Sequence, residues 1–98
     1  MYQELDPLLM SQLRLAIVSY LAASEEADFN TLREKIGATA GNLSAQISKL
    51  QEGGYVSVEK SFRNNYPHTR CRLTPEGLAA LERFIEGLKT YFPDSNSK

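Results

Sequence analysis

Residues 38–62 read "ATAGNLSAQISKLQEGGYVSVEKSF". Leu43, Ile47 and Leu50 recur at i, i+4 and i+7, the spacing of one buried helix face. Thr39 stands where an N-cap belongs, and Gly53-Gly54 breaks the pattern at the far end. Beyond the glycines, "YVSVEKSF" alternates apolar and polar, the period of a strand. The helix face away from the apolar stripe carries Thr39, Asn42, Ala45, Ser48 and Lys49, with Gly41 at its start. A face that only meets water more often carries Glu and Lys pairs. Short, uncharged hydrogen-bonding side chains suit a helix that must enter a groove.

Toward the N-terminus, residues 28–37 ("DFNTLREKIG") predict a short extended piece at Asp28-Phe29 and then a helix capped by Asn30 or Thr31. Leu32 and Ile36 face inward, and Gly37 occupies the usual stop position. Two short helices joined by a tight glycine-containing turn form a helix-turn-helix pattern. Residues 5–24 ("LDPLLMSQLRLAIVSYLAAS") predict a further helix, with Asp6 as cap and Pro7 at its first position. That helix is apolar nearly all round and must be covered nearly all round.

Toward the C-terminus, "TRCRLT" (69–74) alternates as a partner strand, and "RNNYPH" (63–68) predicts a long polar loop between the two strands. "TPEG" starts a last helix capped by Thr74, with Leu78, Leu81, Ile85, Leu88 and Phe92 along one face and Phe84 and Tyr91 on a second. Pro93 ends it, and residues 93–98 are expected to form a frayed tail. The order is helix, helix-turn-helix, two-stranded wing, helix. We expect one winged helix-turn-helix domain over residues 1–98, mainly α with a small β-hairpin (α+β), its ordered core spanning about 7–92.

Ninety-eight residues with 42% apolar and 23% charged content are ordinary for one globular domain. No apolar run reaches the roughly 18 residues of a membrane span, and no basic-then-apolar leader opens the sequence. One cysteine cannot close an internal disulfide, which agrees with a reducing cytoplasm. The net charge of −1 hides an asymmetry. Residues 1–32 carry Arg14 against five acidic residues. Residues 33–72 carry Arg33, Lys35, Lys49, Lys60, Arg63, Arg70 and Arg72 against only Glu34, Glu52 and Glu59. A basic middle third is the footprint of a polyanion partner.

A recognition helix lies in the DNA major groove with its N-terminal half nearest the base edges. Asn42 and Gln46 carry the amides that pair bidentately with adenine, Ala45 permits close approach to a thymine methyl, and Lys49 suits a phosphate. Thr39 sits at the helix start, where N–H groups favour a phosphate. Lys60, Arg63, Asn64, Asn65, His68 and Arg70 place polar and basic groups on the wing for backbone or minor-groove contact. Each has a plainer alternative: a solvated charge, or a local capping role for Asn42. Cys71 shares strand parity with Thr69 and Leu73 and is expected to be a packing cysteine, with a redox role the alternative. His68 has no partner at metal-ligand spacing, so neither metal nor cofactor is expected. No nucleophile–base pair or phosphate loop is present, and enzymatic activity is not expected.

The ordered set "GNLSAQISKLQEGGYVSVEKSF", Pro67, Thr69 and "LTPEG" resembles the small stand-alone winged-helix transcriptional regulators related to the MarR and ArsR groups. The resemblance spans roughly residues 8–92. It implies a cytoplasmic homodimer on a pseudo-palindromic double-stranded operator, often a repressor, with the DNA surface on Thr39, Asn42, Ala45, Gln46 and Lys49 and the wing at Arg63 through Arg70. The exposed-face reading adds Ser48 and starts the wing at about residue 60. The metal-sensing cysteine motifs of many ArsR members are absent. Independently, the apolar excess of the first and last helices predicts a two-fold interface built on Leu8, Leu15, Val18, Phe84, Leu88 and Tyr91. The competing expectation is a winged-helix module that binds protein rather than DNA.

Overall fold

The i, i+4, i+7 stripe produces helix α3 (Ala40–Glu52), whose buried residues are Leu43, Ile47 and Leu50. Thr39 is its cap, with Oγ1 accepting the Asn42 N–H at 3.2 Å. Helix α2 (Phe29–Ile36) precedes it, and Gly37 at φ 79° makes the left-handed stop that lets the chain turn. The cap of α2 is Asp28, not Asn30 or Thr31. Its carboxylate accepts the Thr31 N–H at 2.7 Å, and an ionised acceptor makes the stronger cap bond. These features come from a computed structural model that describes residues 2–92; the expected tail at 93–98 lies outside the described residues.

Strands β2 (Val56–Arg63) and β3 (Tyr66–Leu73) form the wing. A third strand, β1 (Glu26–Asp28), pairs with the other edge of β3, giving the order β1-β3-β2. Three residues are too few for an alternation to register in the sequence. The long loop expected at 63–68 is instead a two-residue turn, with Asn64 at φ 54° and Asn65 at φ 68°. Positive φ at both central residues is what tight hairpins require and asparagine tolerates. Pro67 lies opposite Phe62, one pair beyond the Arg63–Tyr66 pair that closes the turn. At that position an amide would point away from β2, so proline removes no β2–β3 bond.

The first helix divides in two. Asp6 and Pro7 start only a 3₁₀ turn (Pro7–Leu9), and Ser11 caps a separate helix α1 (Gln12–Ser24). Ile17, Val18 and Leu21 of α1 are fully buried, with Leu8, Leu13, Leu15, Tyr20 and Ala22 packed partly buried around the core. Helices α2 and α3, helix α4 (Pro75–Lys89) and strand β3 all pack on α1. The protomer therefore covers α1 itself, and Val18, expected at a dimer interface, is a core residue.

Helix α4 is rotated from the expected orientation. Its buried face is Gly77, Ala80, Leu81, Phe84 and Gly87, while Leu78, Ile85 and Leu88 are exposed. Small residues explain the rotation. A Cβ on Gly77 would collide with the Tyr55 carbonyl, so the helix can approach the base of the wing only through this glycine face. Phe84 thereby joins the core, another departure from the expected interface. Cys71 is fully buried opposite Val58 of β2, as its strand parity predicts.

Candidate nucleic-acid interface

The capped, stripe-packed α3 turns Thr39, Asn42, Ala45, Ser48 and Lys49 to solvent. Gln46 is partly buried because it is drawn toward α1. There Arg14 Nη1 donates to Gln46 Oε1 at 2.6 Å, and Gln46 Nε2 donates to Asn42 Oδ1 at 3.1 Å. Asn42 thus bonds a neighbouring amide, and Thr39 does the capping, which displaces the local-cap reading of Asn42.

Cross-strand partners share a sheet face, and the register divides the wing. Val56, Val58, Lys60 and Phe62 of β2 lie with Leu73, Cys71, Thr69 and Pro67 of β3 on the core-side face. Lys60 and Thr69 line a groove of about 260 Å³ together with Ser44, Ser48 and Gln51 of α3. Lys60 therefore stands alongside the exposed α3 face. Arg63, His68, Arg70 and Arg72 lie on the opposite face.

Arg70 and Arg72 are occupied there. Glu26 of β1 bonds Arg72 at 2.6 Å and Arg70 at 3.4 Å, with all three side chains more than a third exposed. This pairing ties the edge strand to the base of the wing and counters the charge expected to face DNA. Arg63, Asn64 and Asn65 remain exposed at the wing tip, flanked by the exposed aromatics Phe62 and Tyr66. His68 sits beside a small cleft lined by Asp28 and Asn30. Its Nε2 is buried and has no hydrogen-bond partner among the described residues.

The proposed interface residues separate in the same way. Val18 and Phe84 are in the core, Leu8 and Leu15 are partly buried, and Leu88 and Tyr91 are exposed. Tyr91 stacks on Tyr2 with centroids 4.7 Å apart and donates its hydroxyl to the Gln3 carbonyl at 3.0 Å. Gln3 N–H in turn donates to Thr90 Oγ1 at 2.9 Å. The N-terminal segment is thereby strapped to the end of α4.

Three ionisable groups report their surroundings. The Thr31 backbone N–H holds the Asp28 carboxyl below its ordinary pKa. The hydrogen bond to Asp6 raises the Tyr55 hydroxyl. Burial pushes the Cys71 thiol up to about 11. Arg14 and Glu26 were not among the residues expected at the interface. Arg14 had a legible signal, being the one basic residue in the first 32, set in an otherwise apolar helix. Glu26 had none, since its partners are 44 and 46 residues away.

A helix-turn-helix with a wing, its second helix turning a face free of carboxylates to solvent, is the architecture of a class of DNA-binding domain. The family model described as winged helix DNA-binding domain matches residues 13–92, and the chain belongs to that family. It is 35% identical over 75 residues to an uncharacterized protein of Methanocaldococcus jannaschii, covering 76% of this chain and 82% of that one. A transcriptional regulator homologue protein from Pyrococcus horikoshii OT3 is similar with a TM-score of 0.83 and 27% identity, over 92% of this chain and 89% of that chain. A mutant MarR from E. coli, solved in complex with operator DNA, shares the fold with a TM-score of 0.70 at 17% identity, over 90% of this chain and 62% of that chain. No helix among the described residues is long and apolar enough to cross a membrane.

Proposed function

We propose that this protein is a cytoplasmic, dimeric, sequence-specific DNA-binding transcriptional regulator that works as a repressor. Helix α3 enters the major groove, and the wing tip reaches the backbone or minor groove of the same half-site. The observation that carries this reading is the solvent-exposed face of Thr39, Asn42, Ala45, Ser48 and Lys49, free of carboxylates and beside Lys60 of the wing. Asn42 reads a base edge, Lys49 and Thr39 meet phosphate, and Arg63 with Asn64 and Asn65 supplies the wing contact.

Dimerisation is supported by the outward stripe of α4. Leu78, Ile85 and Leu88 are 42%, 46% and 40% exposed, and Phe92 is 58% exposed just beyond the helix. A second copy would cover that stripe through a two-fold contact. Two recognition helices would then fall about one DNA turn apart, roughly 34 Å, on a pseudo-palindrome.

One observation favours a second reading, a protein-binding module. Phe62 and Tyr66 stand 77% and 73% exposed on the wing, where a partner protein could cover them. Fluorescence anisotropy of a labelled random-sequence duplex separates the two. A regulator binds at low salt and releases steeply as salt rises, with a log–log slope near −3 to −4 per protomer if ~4 phosphates are contacted. No binding at low salt would leave the protein-binding reading.

A further inference from the structure

Arg14 has no place in the DNA-contacting set, yet it begins a directed chain of hydrogen bonds that ends on the recognition face. Its Nε donates to the Leu8 carbonyl at 2.7 Å, which fixes the plane of the guanidinium, and its Nη1 donates to Gln46 Oε1 at 2.6 Å. A guanidinium can only donate. The oxygen of the Gln46 amide must therefore face Arg14, and its NH₂ must face the other way, toward Asn42. Gln46 Nε2 accordingly donates to Asn42 Oδ1 at 3.1 Å. The Asn42 oxygen is thus turned along the helix and engaged, and its NH₂ is the group left to face solvent.

We propose that Arg14 is a positioning residue that sets Asn42 as a hydrogen-bond donor toward the groove. Resting on the DNA-binding reading, this assigns the contacted base pair a preference for an acceptor edge. Guanine, with N7 and O6 both acceptors, matches an outward NH₂. The bidentate adenine pairing needs the amide oxygen beside the nitrogen at the base edge, and the bond from Gln46 turns that oxygen along the helix instead. Specificity at one base pair would then depend on a residue of α1 that never touches DNA.

The test begins with selection of a preferred duplex by the unmodified protein. Affinities follow for guanine and adenine at the contacted pair, and for a random duplex, with unmodified protein, Arg14→Met, Gln46→Leu and Asn42→Ala. Gln46→Leu breaks the chain while leaving the Arg14–Leu8 bond intact, so it serves if Arg14→Met does not fold. Guanine should be preferred by the unmodified protein. Arg14→Met and Gln46→Leu should each shift the guanine-to-adenine ratio by at least about threefold at the pair that Asn42→Ala affects, with the random-duplex binding of Arg14→Met held within about twofold. Each should be non-additive with Asn42→Ala, as members of one network are. An unchanged ratio in folded Arg14→Met, an unchanged ratio in Gln46→Leu where Arg14→Met does not fold, or equal weakening on every sequence, overturns the role of Arg14 and leaves DNA binding standing. Failure of the unmodified protein to select any sequence overturns both.

Discussion

At the scale of single residues, Asp28 and Cys71 show how position sets chemistry. Asp28 caps α2, and the Thr31 N–H bond that lowers its pKa favours the ionised form in the folded state. Its contribution to stability is therefore present above the ordinary carboxylate pKa and disappears as pH falls through the folded value. Asp28→Ala should lower stability by about 1 kcal/mol at neutral pH, measured by urea unfolding. The gap to the unmodified protein should close below about pH 4; a gap that persists unchanged in acid would rule out the ionised cap. Cys71 tells the opposite story. It is fully buried with a thiol pushed up to about 11, so little thiolate exists near pH 7. Native protein should react with iodoacetamide far more slowly than urea-unfolded protein. Equal rates would revive the redox reading.

At the scale of elements, the wing and α4 depart most from what the sequence suggested. Asn64 and Asn65 have the composition of a polar loop, yet their positive φ values close a tight hairpin, which carries Arg63 to the tip. Removing a tip charge that meets phosphate affects all sequences alike. Arg63→Ala should weaken random and selected duplexes by similar factors and flatten the salt slope by about 1. A loss confined to one sequence would instead make Arg63 a base reader. The Glu26 pairing distinguishes Arg70 from Arg63, since Arg70 is held by β1 at the base of the wing. The rotation of α4 had a trace in the sequence, because Gly77, Ala80 and Gly87 recur near helical spacing. Against a helix rich in leucine, the larger side chains masked that small-residue face.

At the scale of the whole molecule, the apolar excess that suggests a dimer sits on α4 and not on α1. Ile85→Glu combined with Leu88→Glu changes only exposed positions, so the protomer should stay folded by circular dichroism. Sedimentation should show a shift from dimer to monomer. Affinity for a two-half-site duplex should then fall by roughly 10²-fold or more as the second half-site is lost. A double variant that sediments and binds like the unmodified protein would place the interface elsewhere. The strap from Tyr2 and Gln3 to Thr90 and Tyr91 adjoins this stripe and would help shape the surface offered to a second copy.

Amino-acid order alone determined the helix-turn-helix, the caps at Thr39 and Thr74, the stop at Gly37, the buried stripe of α3 and the placement of Cys71. Each of these depends on neighbours within a few residues, where propensity, capping and periodicity act. Only the tertiary structure decided which face of α4 is buried, that α1 is covered by its own chain, that Glu26 completes the sheet and holds Arg70 and Arg72, and that Arg14 reaches Gln46. These depend on close approach and hydrogen-bond direction between groups distant in the chain, which local pattern does not encode.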